Sequence, residues 1–206
     1  MKNQTDISAD EYLVPAGETS AEIKVKGSKF IASIFPVSSK EAAEDFYGQV
    51  KKKYYDASHN CFAWRISEDE FRYSDDGEPS GTAGKPILQT LDGAGLTETL
   101  CVVTRYFGGT KLGTGGLIRA YSDSCAAALE SLQIRTEVKT QRLLLVFNYD
   151  QEHTVRTFMG RINGCIVCSD YADKVQLCID VPVSKCAVFE DQLNEASQSS
   201  IKITKV

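Results

Sequence analysis

The sequence lacks a long apolar run and lacks an excess of basic charge. The longest apolar runs, such as Leu143–Phe147, are far shorter than the roughly 20 residues of a membrane-spanning helix. The net charge is −5, and the parts before and after residue 136 are both acidic. Neither part is therefore a basic nucleic-acid module by gross charge, and any phosphate binding must come from a local cluster of cations.

The chain also lacks the signals of a secreted protein. Residues Met1–Pro15 are polar and acidic, without the apolar stretch of a signal peptide. The seven cysteines cannot all pair within one chain, because their number is odd. We therefore expect a cytoplasmic protein with free, mostly buried thiols and no association with membranes.

The elements fall into two groups on either side of a polar segment, Arg135–Gln141, and predict an α+β protein. We expect a mobile polar tail over residues 1–20, an N-terminal domain over 21–136 and a C-terminal domain over 137–206. Alternation and helical spacing predict the following N-terminal elements: strands Ala21–Val25, Lys29–Phe35, Asn60–Ile66, Phe71–Ser74 and Thr99–Tyr106, and helices from Ser39 to Tyr54, Pro86–Ala94 and Leu117–Leu132.

The C-terminal part has the order βαββαβ, which is typical of a ferredoxin-like fold. Its predicted elements are strands Arg142–Tyr149, Cys165–Tyr171, Lys174–Val181 and Ser200–Val206, and helices Gln151–Ile162 and Ser184–Ser197.

A glycine segment, residues 108–116, connects a predicted strand to a predicted helix. Glycines let backbone N–H groups approach a ligand, and a helix start adds partial positive charge. The candidate residues for binding an anion or nucleic acid are Arg105, Tyr106, Gly108, Gly109, Thr110, Lys111, Gly113, Thr114, Gly115, Gly116 and Arg119. The segment lacks the GxxxxGK[ST] pattern of a Walker loop, and it lacks the third glycine of a dinucleotide fingerprint, since position 118 is isoleucine. Alternatively, the glycines only allow a tight connection.

An acidic segment, residues 75–84, precedes the second predicted helix. Asp75, Asp76 and Glu78 could hold a divalent metal, bridge to the cations of the glycine segment, or face a partner together with Ser80 and Thr82. The spacing of a calcium loop is absent, and Asp76-Gly77 has ordinary turn chemistry. We favour salt bridges or a partner, with no metal and no cofactor.

Two pairs of residues that include cysteine have spacings found in catalytic or metal sites. His59 and Cys61 share one face of a strand, which would allow an accessory thiolate–imidazole pair, although such neighbours often only pack. Cys165 and Cys168 have the spacing of metal ligands but no second pair to complete a site, and in a regular strand they would point to opposite faces.

The segments Asp75–Gly84 and Arg105–Tyr121, with the stretch His59–Trp64, resemble the IMPACT / YigZ-like family over about residues 20–206. The resemblance implies an N-terminal domain like the second domain of a small-subunit ribosomal protein, containing a βαβ unit, and a ferredoxin-like C-terminal domain. Elongation factor G ends with the same pair of folds. Eukaryotic relatives look like translation regulators, whereas bacterial relatives have no settled activity.

Three hypotheses about function follow. The first is a non-enzymatic protein that binds RNA or a ribosomal site through the cationic glycine segment. The second is a protein–protein regulator, in which the acidic and glycine segments form one surface for a translation-related protein. The third is a magnesium-dependent enzyme acting on a phosphorylated small molecule. All three predict that the two segments lie together around one open concavity.

Overall fold

The computed structural model describes residues 9–206, which form two compact units. One unit is Tyr12–Glu137, and the other is Val138–Val206 with the described residues up to Glu11. The predicted α+β class is confirmed. Of the predicted tail, residues 1–8 lie outside the described residues, and Glu11–Pro15 forms a strand. The polar composition concealed this strand, because its partner lies more than a hundred residues away in the chain.

The first unit is organised around a sheet with the strand order β2-β3-β6-β4-β5, in which all neighbours are antiparallel. Strands β1 and β7 pair separately. The bounds are β1 Glu11–Pro15, β2 Thr19–Val25, β3 Ser28–Pro36, α1 Lys40–Lys53, β4 His59–Arg65, β5 Phe71–Ser74, α2 Gly84–Gly93, β6 Thr99–Tyr106, α3 Gly113–Glu130 and β7 Ile134–Val138.

Helices cover both faces of this sheet. Cys61 and Ala63 of β4 belong to the core that includes α2 and α3, whereas Phe62 and Trp64 belong to the core that includes α1. The predicted alternation along β4 is therefore confirmed. The central strand β6 is buried along nearly its whole length, because side chains on both of its faces meet a helix layer.

The helix starts show where local signals suffice and where they fail. The sequence offers Ser38 or Ser39 as the cap of α1, and the structure selects Ser39, whose hydroxyl accepts from the backbone N–H of Ala42 at 3.2 Å. Helix α3 begins at Gly113, four residues before its predicted start at Leu117. The glycines lower helix propensity, which concealed the first turn from sequence reasoning. Half of the glycine segment is therefore helical.

The second unit confirms the βαββαβ order. Its main elements are β8 Thr140–Phe147, α4 Glu152–Ile162, β9 Cys165–Tyr171, β10 Val175–Pro182, α5 Cys186–Ser197 and β11 Lys202–Lys205. The strand order β11-β8-β10-β9 is antiparallel throughout, as in ferredoxin-like domains. Alternate residues of β8 and β10, such as Leu145 and Leu177, form one core with α4 and α5.

The other face of this second sheet carries side chains that are less buried, including Leu144 and Cys178. A register shift between Cys178 and Ile179 places three residues of β9 opposite two of β10, so Cys165 faces Asp180 and Cys168 faces Cys178. Because opposed residues share a face, Cys165 and Cys168 point the same way, and the expectation of opposite faces was wrong.

No helix of the described part of the chain is long and apolar enough to cross a membrane.

Candidate functional site

A buried ion pair joins the end of β6 to the acidic segment. Arg105 Nη1 lies 2.5 Å from Glu78 Oε1, and the two side chains are 6% and 4% exposed. The Nη2 atom of Arg105 donates weakly to Ser28 Oγ at 3.4 Å, whereas its buried Nε has no partner among the described residues. Arg105 was expected to bind an anion, and a bridge from the acidic segment to the cations of the glycine segment was one of the favoured readings. The structure has such a bridge, and Glu78 balances the charge of Arg105 inside the unit.

Tyr121 and Cys61 extend this polar cluster into the core. The hydroxyl of Tyr121 donates to Glu78 Oε1 at 2.8 Å, and Cys61 Sγ lies 3.3 Å from Tyr121 Oη and 3.0 Å from the carbonyl oxygen of Asp75. Burial is the largest cause that raises the pKa of Cys61 and of Tyr121 above their ordinary values. Both groups therefore stay protonated near neutral pH, which opposes a thiolate at Cys61.

His59 is likewise bound to the acidic segment rather than to Cys61. Its Nδ1 lies 2.8 Å from the carbonyl oxygen of Asp76, and its Nε2 lies 3.9 Å from Glu78 Oε1. The proposed pairing of His59 with Cys61 is absent from the described structure, because each side chain has a separate partner. Their shared strand face serves to hold the acidic segment in place.

The carboxylates of the acidic segment point inward. Asp75 accepts from the backbone N–H groups of Gly81, Ala83 and Gly84 at 2.8–2.9 Å and so stabilises the start of α2. Asp76 Oδ2 accepts from the backbone N–H of Asn60 at 2.7 Å. Both carboxylates therefore have backbone partners inside the unit.

Thr82 is also buried, and its hydroxyl donates to the carbonyl oxygen of Pro79. Glu78 and Thr82 are thus buried and Asp75 and Asp76 half-buried, and all four have internal hydrogen-bond partners. Gly77, Pro79 and Ser80 are exposed, and a partner for this segment stays a prediction. Among the described residues, no group of three acidic, histidine or cysteine side chains is arranged to hold a metal.

The two segments share a concavity of about 370 Å³, which confirms the prediction that they lie together. Glu78 and Pro79 line it from the acidic segment. The lining from the other side is Arg105, Phe107, Lys111, Leu112, Gly113, Thr114 and Leu117. Phe107 is 51% exposed and was not among the predicted site residues. In the sequence, the aromatic residue between the predicted strand Thr99–Tyr106 and the glycine segment was the signal that could have revealed it.

The first turn of α3 borders this concavity. Leu112 precedes the helix, and no side chain of the described residues caps this end by a hydrogen bond. Gly113 has a φ of +73°, a conformation that favours glycine. The start of a helix carries unsatisfied N–H groups and partial positive charge, and Lys111 adds a full charge beside it. An anion is the ligand that this arrangement suits.

The glycines of this segment differ in whether packing or backbone conformation requires a glycine at their position. A Cβ on Gly108 would lie 1.9 Å from the backbone carbon of Gly27, so Gly108 is needed for packing. Gly109 has a φ of +86°. Gly115 has neither constraint, because its φ is not positive and an added Cβ would meet nothing within 4 Å. Its lack of a side chain leaves the surface of the first turn open.

The remaining predicted residues lie outside the lining of the concavity. Tyr106 donates through its hydroxyl to Asp56 at 2.8 Å, and this bond is the largest cause raising the pKa of Tyr106 to about 12. Thr110 and Arg119 are exposed, Arg119 on the outer side of α3. Gly116 is tightly packed, since an added Cβ would lie 3.1 Å from the Leu112 side chain.

Comparison with known proteins agrees with these two units. The Impact N-terminal domain family matches residues 26–129, and a domain of unknown function (DUF1949) matches residues 145–200. An IMPACT family member, YigZ of Escherichia coli (strain K12), is 35% identical over 201 residues, covering 96% of this chain and 98% of YigZ.

The chain belongs to the IMPACT family.

Relatives of this IMPACT family chain extend across distant organisms. YvyE of Bacillus subtilis (strain 168), also described as an IMPACT family member, is 45% identical over 125 residues, which cover 60% of this chain and 57% of YvyE. The protein described as Protein IMPACT homolog of Dictyostelium discoideum is 38% identical over 106 residues, covering 48% and 30% of the two chains.

A solved structure supports the fold of the IMPACT family chain. The crystal structure of a hypothetical protein matches with a TM-score of 0.69 and 35% sequence identity, covering 96% of this chain and 98% of that one. The match includes both the N-terminal unit and the βαββαβ unit.

Proposed function

We propose that the Tyr12–Glu137 unit is a non-enzymatic binding module that takes the phosphate backbone of RNA, free or in a ribosome, at the concavity beside α3. The observation that carries the proposal is the meeting of Lys111 with the uncapped first turn of α3 on one open surface. Backbone N–H groups and a lysine together are a common arrangement for binding phosphate. The family resemblance adds the expectation of a role in translation.

Gly115 supports a ligand rather than a purely structural connection. A glycine in a helix costs about 0.5–1 kcal/mol relative to alanine. Neither the backbone conformation nor the packing requires this one. Gly115 is exposed in the first turn, next to the lining of the concavity and not part of it, and in this proposal a phosphate bound at the turn uses the space that a side chain at position 115 would fill.

Phe107 favours a nucleic acid over a lone phosphate ion. Its ring is half exposed at the wall of the concavity, and the guanidinium carbon of Arg105 lies 5.5 Å from the ring centroid. Bases stack on exposed aromatic side chains without regard to sequence, which contributes roughly 1–3 kcal/mol per base. Lys111 and Phe107 can thus engage the backbone and a base of one nucleotide.

Arg105 acts in this proposal mainly by positioning other groups. Its pair with Glu78 fixes the acidic segment against the end of β6, and thereby forms one wall of the concavity. The chemistry of the surrounding groups favours binding over turnover. Cys61 and Tyr121 hold their protons, and internal donors already engage Asp75, Asp76 and Glu78, the carboxylates that a magnesium enzyme would use.

A direct test measures the binding of a fluorescent single-stranded oligoribonucleotide by anisotropy, with salt varied from about 50 to 200 mM. Affinity should fall steeply with salt, because phosphate contacts release counterions. Lys111→Ala should weaken binding and lower the slope of log K against log salt by about 0.7, the value for one contact to a single strand. Arg119→Ala tests whether the outer side of α3 extends the site.

The matched control is Lys52→Ala, since Lys52 is an exposed lysine on α1, against the opposite face of the sheet. It should bind like the parent chain. The proposal fails if affinity is independent of salt, or if Lys111→Ala and Lys52→Ala bind equally well. Cosedimentation with ribosomes then separates a ribosomal site from free RNA.

A protein partner is the second candidate, and exposed apolar side chains favour it. Phe107 and Ile118 are 51% and 41% exposed, and Ile118 lies on the exposed side of α3 one turn after Gly115. A translation-related protein could use both as anchors. Capture from extract before and after nuclease treatment distinguishes the candidates. A partner that persists after nuclease and is lost in Ile118→Glu would support this second function.

A further inference from the structure

The second unit places two cysteines directly opposite each other on neighbouring strands. Cys168 of β9 is the register partner of Cys178 of β10. Opposed residues of an antiparallel pair have Cα atoms about 4.5 or 5.5 Å apart. Both values lie within the roughly 4.4–6.8 Å that a disulfide spans. Regular pairing at this register, which begins beside the register shift, therefore supplies the Cα spacing that a disulfide requires.

Both thiols lie on the side of the sheet that α4 and α5 leave uncovered. Cys168 is exposed and Cys178 is partly exposed. Their neighbours on that face include Leu144, which is opposite Cys178 on β8, and the ion pair of Arg142 with Asp180. A small reagent can reach this pair without unfolding the unit.

The two thiols differ in exposure, and this difference predicts which of them reacts first. The pKa of the Cys178 thiol is raised, first by burial and then by a hydrogen bond with Cys168. Since the thiolate is the nucleophile, Cys178 is the poorer first attacker, and the more exposed Cys168 reacts first.

Other cysteines compete less well for either partner. The register shift leaves Cys165 about two residue rises, or roughly 7 Å, from Cys168 along β9, at the upper limit for a disulfide. Its distance to Cys178 is a longer diagonal across the strands. The remaining cysteines, Cys61, Cys101, Cys125 and Cys186, are buried.

We propose that Cys168 and Cys178 are a reversible thiol–disulfide site that reacts with low-molecular-weight disulfides such as oxidised glutathione. The Cys168 thiolate attacks one sulfur of the small disulfide, forming a mixed disulfide and releasing one thiol. The Cys178 thiolate then attacks the Cys168 sulfur, forming the Cys168–Cys178 bond and releasing the second thiol. The small disulfide is reduced to two thiols, and the protein loses two hydrogens.

The product would fasten β9 to β10. Strand β9 is at the edge of its sheet, where it has a neighbour on only one side, and most of its residues are exposed. Such strands open more readily than central ones. A bond at Cys168 would therefore slow the exchange of β9 amide hydrogens, and reduction would restore it.

The test equilibrates the full chain in buffers with increasing ratios of oxidised to reduced glutathione, followed by acid quenching, alkylation and peptide mapping. We expect two of the seven thiols to be lost together in one peptide linkage, Cys168 to Cys178. Cys178→Ser should stop at a glutathione adduct on Cys168, and Cys165→Ser should leave the linkage intact.

An internal control comes from Cys101 and Cys125, which are both buried in one core of the first unit. They should stay reduced over the same series. The proposal is overturned if Cys168 and Cys178 remain thiols until the protein unfolds, if the linkage involves Cys165, or if Cys178→Ser gains no glutathione on Cys168.

Discussion

The sheets of the two units differ in how many faces they bury. In Tyr12–Glu137 helices cover both faces, and Arg105, Glu78 and Tyr121 form a buried network of internal hydrogen bonds. In the second unit helices cover one face only, and thiols lie on the other. A doubly covered sheet can position a site by buried charges, whereas a singly covered sheet presents its side chains directly to solvent.

The largest expected loss of stability comes from breaking the buried ion pair of the first unit, whose sheet is covered on both faces. Glu78→Ala should destabilise the first unit by about 3–5 kcal/mol, because it leaves the Arg105 charge buried without its partner. Trp64, the chain's single tryptophan, lies in the core beside α1, so its fluorescence reports urea unfolding of this unit.

The control for Glu78 is an exposed pair of the same unit. Arg72 and Glu44 are more than half exposed, and Arg72→Ala should cost no more than about 1 kcal/mol. If Glu78→Ala costs as little as Arg72→Ala, the buried pair does not stabilise the layers as described.

The second prediction tests whether one face of the second sheet is open. Leu145 is completely buried against α4 and α5, and Leu145→Ala should destabilise the unit by about 2–5 kcal/mol. Leu144 has its side chain on the other face, so Leu144→Ala should have a much smaller effect. Amide hydrogen exchange of β10 measures both locally. Equal effects would mean that something covers the face of Leu144.

The smallest expected changes in stability come from substitutions at two glycines of the glycine segment. Gly108→Ala should destabilise the first unit by about 1–3 kcal/mol, since its Cβ would overlap the backbone of Gly27. Gly115→Ala should change stability by less than about 1 kcal/mol, and in the favourable direction. It should nevertheless weaken RNA binding in the anisotropy assay. A Gly115→Ala chain that binds as tightly as its parent would remove this residue from the site.

Local sequence signals predicted much of the fold. The β-branched run Thr99–Tyr106 is a strand with the predicted bounds, and the cap at Ser39 was read from the sequence because both depend on neighbouring residues. Strands β1 and β7 were missed, since polar residues hide a strand whose partner is distant. The order of the ferredoxin-like unit was recovered because its two periodicities alternate clearly along the chain.

The candidate site was harder to predict than the fold. That the acidic and glycine segments meet was foreseen, but the burial of Arg105 was not, because a pair 27 residues apart depends on how layers stack. The partners of Asp75 are backbone groups, which leave no mark in the residue pattern. The shared face of Cys165 and Cys168 follows from one extra residue in β9, which strict alternation does not anticipate.

The contact between Gly27 and Gly108 links remote parts of the chain. The backbone of the hairpin turn at Gly27 contacts the backbone of the glycine segment. The hydroxyl of Ser28 accepts a hydrogen bond from the N–H of Gly108, which is 80 positions away in the sequence. Because the two backbones are in contact, the turn at Gly27 constrains the position of Gly108. It therefore also constrains where Phe107 and Lys111 lie relative to the sheet. At the proposed site, variation in this hairpin would therefore change RNA affinity through residues that do not themselves contact the RNA.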